Sequence, residues 1–378
     1  MRIGIDGVSV STGGGVTYFA NLLPTLAPIL EARGDMLFVY TREGGRVSVP
    51  ASPSVSERHV APASISASRR VLWAQATYPR HARHDRLDVF YGPADSVPLA
   101  LHCPTVCAFR NPNTYADIMA SPPRKRLRLT GLRMLAMASA RECRRAIFVS
   151  AAARDDILPV LNLDPAKARV VHHGMGDFFK SALSNAALAS QSPWPRPYLL
   201  MVSTLYHYKN CVRLIEAFDK YVHKAGLPHG LALVGAQVET WAAQPIKETI
   251  RRLGLEQHVL LAGEIRYPDV AAWYRHASAF VFPSYRETFG HPLLESMAAD
   301  LPLAASDIPV MREIAGDVAR YFDPFSVDSI GEALVDVLDV SKREERIKRG
   351  RERLKQFTWD RTARLTLEVI QEAAGASG

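Results

Sequence analysis

Apolar residues occur either in short unbroken runs of strand length or in longer stretches where they recur at helical spacing. Arg2–Asp6, Met36–Tyr40, Asp88–Tyr91, Pro104–Phe109, Ala146–Val149 and Arg169–His172 are runs of the first kind. Arg69–His81, Arg124–Cys143 and Ala151–Leu158 are of the second. The alternation resumes at Tyr198–Ser203, continues through Leu231–Gly235, Val259–Gly263 and Ala279–Phe282, and ends in helical patterns over Ile330–Val340 and Arg361–Ala373. Strand alternating with helix predicts a parallel sheet covered on both faces, hence an α/β protein. Ser181–Pro197 loses the periodicity and gathers Ser, Ala and Pro, which predicts a linker. The 378 residues then divide into two domains, each large enough for its own core.

The segment Ala279–Asp300 breaks both patterns and so points to a ligand. Its strand stops at Pro283, Ser284–Gly290 is irregular, and His291-Pro292 opens a helix carried by Leu293, Leu294 and Met297. Phe289, Gly290 and His291 are thereby placed at the positive end of a helix dipole, an arrangement that suits phosphate. Glu287 and Glu295 flank the corner. Glu295 can accept hydrogen bonds from a sugar diol, and Glu287 can reach a group beyond the phosphate. From these residues alone, a first-turn glutamate favoured by the dipole and a solvated loop charge remain equally open.

Upstream, Gly13-Gly14-Gly15 leads into the helical pattern Val16, Phe19, Leu22, Leu23, Leu26. It lacks the Gly-x-Gly-x-x-Gly spacing, and no acid closes the second strand, which ends in Thr41-Arg42; a nicotinamide oxidoreductase is disfavoured. Arg110 and Asn111 follow a strand end, where ligands of doubly wound sheets sit, and Lys209-Asn210 holds the same position in the second half.

Composition narrows the classes further. The hydrophobic fraction is 48% and the charged fraction 22%, as in globular proteins, and the net charge of +8 favours anionic partners. Cys103, Cys107, Cys143 and Cys211 lack Cys-x-x-Cys spacing and are expected to be reduced and packed. No Asp-x-Asp pair occurs, so no metal and no separate cofactor is expected. The first residues start directly as a strand and no apolar run reaches the length of a bilayer span, from which a cytoplasmic location is expected. Residues 124–145 are strongly basic around an apolar stripe of Leu127, Leu132, Leu135 and Ala138, a pattern fitting peripheral contact with anionic lipid on the inner face of the plasma membrane, or an ordinary surface helix. In the later run SKREERIKRGRERLKQF the charges alternate in sign, which predicts a solvated helix face and no nucleic-acid site.

The order Glu287-Thr-Phe-Gly-His-Pro-Leu-Leu-Glu295, with LPLAASDIPVMREIAGDVARYFDP after it, resembles the Glu-x7-Glu signature region of retaining glycosyltransferases of family 4. Lys209-Asn210 with Leu214-Ile-Glu-Ala-Phe218, and the Trp-Tyr-x-x-Ala pattern ending at Ala277, are similar to further segments of that family. The resemblance implies the GT-B architecture: two doubly wound, Rossmann-like parallel-sheet domains facing each other across a cleft. It places an acceptor-side domain at 1–182, a linker at 183–197, a nucleotide-sugar domain at 198–357 and a returning helix at 358–378.

The implied reaction is transfer of a hexose from a GDP- or UDP-linked sugar to a hydroxyl of a glycan or lipid-linked acceptor in surface polysaccharide synthesis, with retention, as in bacterial mannosyltransferases. Lys209 and Glu287 are its implied catalytic residues. Gly14 and Gly15 would face the donor phosphates, Gly263, Glu264 and Ile265 the base, Thr288, Phe289 and Gly290 the diphosphate, and Glu295 the ribose. Arg110 and Asn111 stand where family members carry a histidine, which leaves the acceptor side unassigned, and Thr204 stands near an expected arginine. A sugar-nucleotide epimerase or phosphorylase of the same architecture, and a non-catalytic nucleotide-binding module, are the rival classes.

Overall fold

The computed structural model describes residues 1–10, 14–62, 67–115, 123–184, 192–237 and 240–375. The chain forms two units, one of Met1–Gly174 with Thr358–Gly378, the other of Met175–Phe357. Gly13 of the glycine run and residues 185–191 of the expected linker lie outside the described residues.

The first unit is built on β1 (Arg2–Asp6), β2 (Met36–Arg42), β3 (Val55–Ala61), β4 (Val89–Gly92), β5 (Thr105–Phe109), β6 (Arg145–Phe148) and β7 (Ala168–Val170). They pair in parallel in the order β3-β2-β1-β4-β5-β6-β7. The strands β4, β5 and most of β6 are wholly buried, as expected where helices cover both faces. β3 escapes the apolar-run criterion because it is an edge strand, VSERHVA, with polar side chains turned outward.

The helix Trp359–Ala374 completes this unit. Trp359, Ala363, Leu367 and Ile370 share one core with Ile3 and Ile5 of β1 and with Phe19, Leu22 and Leu23 of the helix Gly14–Arg33. Glu372 at its far end accepts from Arg145 at 2.8 Å and pairs with Arg169 at 2.8 Å, tying it to β6 and β7.

The second unit contains β8 (Tyr198–Val202), β9 (Gly230–Val234), β10 (Val259–Gly263), β11 (Ala279–Phe282), β12 (Leu303–Ser306) and β13 (Arg320–Phe322). Their order is β10-β9-β8-β11-β12-β13, again all parallel. Met175 and the residues up to 182, assigned to the first domain from the sequence, pack here instead, because Phe179 is buried against Tyr267 and Tyr274.

Two expectations about basic helices change. In Pro123–Glu142 the buried face is Leu129, Ala136 and Ala140, which recur at helical spacing, not the stripe containing Leu127, which is 78% exposed. The helix Arg343–Leu354 is anchored as well as solvated: Arg346 is buried and bonds the Asp336 carboxylate at 2.5 Å, and Arg351 grips Asp300 through two hydrogen bonds. Among the described residues no helix is long and apolar enough to cross a membrane. All four cysteines are free and buried.

Candidate active site

In the second sheet β8 and β11 are neighbours whose chains continue to opposite sides, β8 toward β9 and β11 toward β12. Their following loops therefore diverge, and the sheet's carboxyl edge opens between them, the switch point at which doubly wound sheets hold ligands. After β8 the chain makes a single tight turn, His207–Lys209, and Asn210 adopts the left-handed conformation (φ 61°) with its side-chain amide donating to the Pro324 carbonyl at 2.6 Å. The Tyr285 amide, beyond β11, donates to the Tyr208 carbonyl at 3.1 Å. Three loops are thus stitched together at one edge.

From this frame the Lys209 ammonium reaches across to ion-pair with the Glu287 carboxylate. Both side chains are close to buried, with 9% and 11% of their surface exposed. The Phe282 and Tyr208 rings lie 5.1 and 5.2 Å below the ammonium and add cation–π attraction.

β11 stops at Phe282 and the helix His291–Ala298 starts after Gly290, as the sequence pattern indicates. Gly290 is buried with φ 90°, and a Cβ there would come within 3.3 Å of Leu293 and 3.4 Å of Phe282. Only glycine can make this corner without strain. Phe289 beside it is buried against the rings of His291 (4.9 Å) and Phe357 (6.2 Å), while Thr288 is half-buried. Ser284, wholly buried, has no hydrogen-bond partner for its hydroxyl among the described residues.

Glu295, in the same helix, is buried and faces two tyrosines. Tyr267 donates to Oε1 at 3.0 Å and Tyr274 to Oε2 at 2.8 Å. Burial pushes the Glu295 carboxyl above its ordinary range, and the hydrogen bonds from Tyr274 and Tyr267 oppose that shift. Burial and the Glu295 charge together hold both tyrosine hydroxyls far above their usual range, so they stay protonated donors. Tyr267 opens the helix Tyr267–His276, separated from Gly263-Glu264-Ile265 only by Arg266; Gly263 has φ 74°, its carbonyl accepts from the Gly235 amide at 2.8 Å, and Glu264 is exposed.

The residues named from the sequence in the second half therefore gather at the carboxyl ends of β8, β10 and β11. Tyr267 as a partner of Glu295 escaped the sequence reading, and Tyr274 entered it only as part of a helix pattern. The signal available was chemical: a glutamate buried in a helix needs donors from elsewhere.

In the first unit Gly14 and Gly15 begin the helix Gly14–Arg33, with Gly14 exposed and Gly15 close to Val10. Arg110 lays its guanidinium over the Tyr18 ring at 4.4 Å. The backbone amides of Arg110 and Asn111 donate to Asp95 Oδ1 at 2.9 and 3.3 Å, and the Tyr115 hydroxyl to the same oxygen at 2.8 Å. Asn111 lines a cavity of about 290 Å³ at the ends of β1 and β4, together with Asp6, Ser9, Arg70, Gln75 and Tyr78. Asp6 is buried there, accepting from Tyr78 and from the Ser9 hydroxyl at 2.5 Å.

Residues 12–175 match the family model for glycosyltransferase family 4, and residues 188–353 that for glycosyl transferases group 1. The O-antigen chain mannosyltransferase B of Escherichia coli is 29% identical over 175 residues, 46% of this chain and 45% of its own length. The match thus spans less than half of that relative. WaaG, a glycosyltransferase involved in lipopolysaccharide biosynthesis, superposes with a TM-score of 0.73 at 17% identity, over 97% of this chain and 99% of its own. Anabaena HepE in complex with UDP-glucose gives 0.70 at 15% identity, over 98% and 100%.

Proposed function

The chain belongs to glycosyltransferase family 4 and has the GT-B fold, and from that premise we propose that it moves a hexose from a nucleoside diphosphate to a hydroxyl of a glycan or lipid-linked acceptor in polysaccharide synthesis. Mannose is the first sugar to test, since the E. coli relative is a mannosyltransferase. The observation that carries the proposal is the nearly buried Lys209–Glu287 pair at the switch point of the second sheet, beside the helix that starts at Gly290.

The chemical demand is stabilisation of charge on a departing diphosphate. A fixed cation and a helix dipole aimed at that charge meet it without reorganisation during the step. Lys209 is held by Glu287 until phosphate oxygens share its ammonium, and Glu287 then turns its acceptor capacity to the hydroxyls of the sugar. Gly290 brings the backbone of Thr288 and Phe289 close to the diphosphate, Gly263, Glu264 and Ile265 border the base, and Glu295 takes the ribose.

The sugar's C1–oxygen bond to the diphosphate breaks, the acceptor oxygen bonds to C1 with retention of configuration, and the acceptor proton goes to the leaving phosphate. Lys209 and the helix start supply the positive charge, so the reaction needs no divalent cation. Arg110 and Asn111, beside the first-unit cavity, contact the acceptor.

The test is incubation with GDP-mannose and, separately, UDP-glucose, each with a lipid-linked oligosaccharide acceptor and with EDTA present. Transfer giving an α-linked product from an α-linked donor supports the proposal. Donor consumed only by hydrolysis or epimerisation, or no turnover at all, overturns it.

A further inference from the structure

Glu295 is more constrained than an acid that merely binds a ligand requires. Each of its two carboxylate oxygens is engaged by a different tyrosine hydroxyl, Oε1 by Tyr267 and Oε2 by Tyr274. The tyrosines are themselves fixed. The Tyr274 ring is wholly buried, stacked on Phe280 at 5.4 Å and edge-on to Phe179 at 5.4 Å. Tyr267 stacks on Phe178 at 6.0 Å, with an interplanar angle of 16°.

An ionised carboxylate offers about four lone-pair positions, two on each oxygen. One donor on each oxygen holds the plane of the group and leaves acceptor capacity on both oxygens. A single donor, or two on the same oxygen, would leave the plane free to turn or the remaining acceptors unequal.

We propose that Tyr267 and Tyr274 are positioning residues that make Glu295 a two-pronged acceptor for a vicinal diol, and that this pair sets the preference of the site for ribonucleotides over deoxyribonucleotides. The proposal rests on the assignment of the ribose to Glu295 made above. It also links two parts of the site: Tyr267 follows Gly263-Glu264-Ile265 in one continuous segment, so the loop that borders the base also aims the acid that receives the ribose.

If the tyrosines only satisfied a buried acid, their loss would lower stability and leave the sugar preference intact. A fork predicts a change in the preference itself. The experiment is titration calorimetry of GDP, UDP and their 2′-deoxy counterparts into the wild type, Tyr267→Phe and Tyr274→Phe. The wild type should favour the ribo form of its nucleotide on the order of tenfold, the scale of one hydrogen bond to a charged group. Each phenylalanine variant should bring that ratio down severalfold. Because Tyr274 is in the core and its variant can fail to fold, the half-buried Tyr267 carries the decision.

An unchanged ratio in Tyr267→Phe, with the variant folded, overturns the proposal. Equal binding of ribo and deoxy forms by a wild type that still transfers sugar also overturns it while leaving the transferase reading intact. A wild type that neither binds these nucleotides nor transfers sugar removes the transferase reading as well.

Discussion

Lys209 and Glu287 stand 78 residues apart in the chain, yet they form an ion pair with little of either side chain in contact with water. Each is the other's compensation for leaving water. Removing one partner leaves a charge poorly solvated, which in such pairs costs about 3–5 kcal/mol, whereas replacing both by neutral groups costs far less. Lys209→Met and Glu287→Gln should each destabilise the second unit by about 3 kcal/mol, the lower end because about a tenth of each side chain is exposed. The double variant should recover most of that loss while all three lose sugar transfer by about 100-fold or more, the cost of removing one preorganised donor. Urea unfolding with a transfer assay measures both, and a double variant no more stable than the weaker single one would refute the coupling.

Gly290 makes a sharper corner than any other residue could. Its φ of 90°, with neighbouring side chains 3.3–3.4 Å from where a Cβ would stand, predicts that Gly290→Ala costs about 1–3 kcal/mol in strain. The nucleotide diphosphate should bind more weakly too, because the backbone nearest the phosphates moves. Melting curves with and without GDP and UDP would separate the two effects; a variant as stable as the wild type and stabilised equally by nucleotide would contradict both.

Asp95 gives a prediction in pH. Burial pushes its carboxyl above the ordinary range, opposed by hydrogen bonds from the Arg110 amide, the Tyr115 hydroxyl and the Asn111 amide. An acid whose folded pKa is raised keeps its proton longer in the native protein than in the unfolded chain. Stability therefore falls as pH rises from the ordinary carboxylate range through the folded value. All three donors use Oδ1, which asparagine retains, and asparagine tolerates the left-handed backbone found here, φ 61°. Asp95→Asn should melt higher than the wild type at pH 8, with the difference closing near pH 4. A lower midpoint at pH 8 would mean that the charge itself is needed.

On the helix Pro123–Glu142, Leu127 and Met134 are 78% and 66% exposed, one above the other on a face that also carries the exposed Gly131, with the exposed Arg128 and Arg141 nearby. We expect this face to rest on anionic lipid, with each arginine near the surface contributing about 1 kcal/mol. Leu127→Glu with Met134→Glu should abolish flotation with phosphatidylglycerol vesicles and leave the melting midpoint unchanged, as exposed positions normally do. Undiminished flotation would disprove it.

Much of the second unit is legible in its residues because the determinants are local. Phe282-Pro283 ends a strand, Gly290-His291-Pro292 starts a helix, and the strand Ala279–Phe282 has the expected bounds. Lys209, Glu287 and Glu295 also stand at the strand ends and helix start that the pattern marks. Their mutual arrangement was not legible. That Lys209 would spend its charge on Glu287, or that Glu295 would be held by Tyr267 and Tyr274, depends on strand order, which no local window contains. The outward turn of Leu127 was not legible either: its helix buries Leu129, Ala136 and Ala140, and hydrophobicity alone does not say which face of a helix is covered. β3 is missed because an edge strand needs few apolar residues.

The helix Trp359–Ala374 belongs to the core begun by β1, so the two units differ in how they can form during synthesis. Residues 175–357 are contiguous and can close their own core as soon as they leave the ribosome, whereas the other unit must wait until Trp359–Ala374 has been delivered. Until then the apolar surface meant for Trp359, Leu367 and Ile370 stays open to water, a target for chaperones in the cell and a cause of aggregation for any fragment that stops before residue 359.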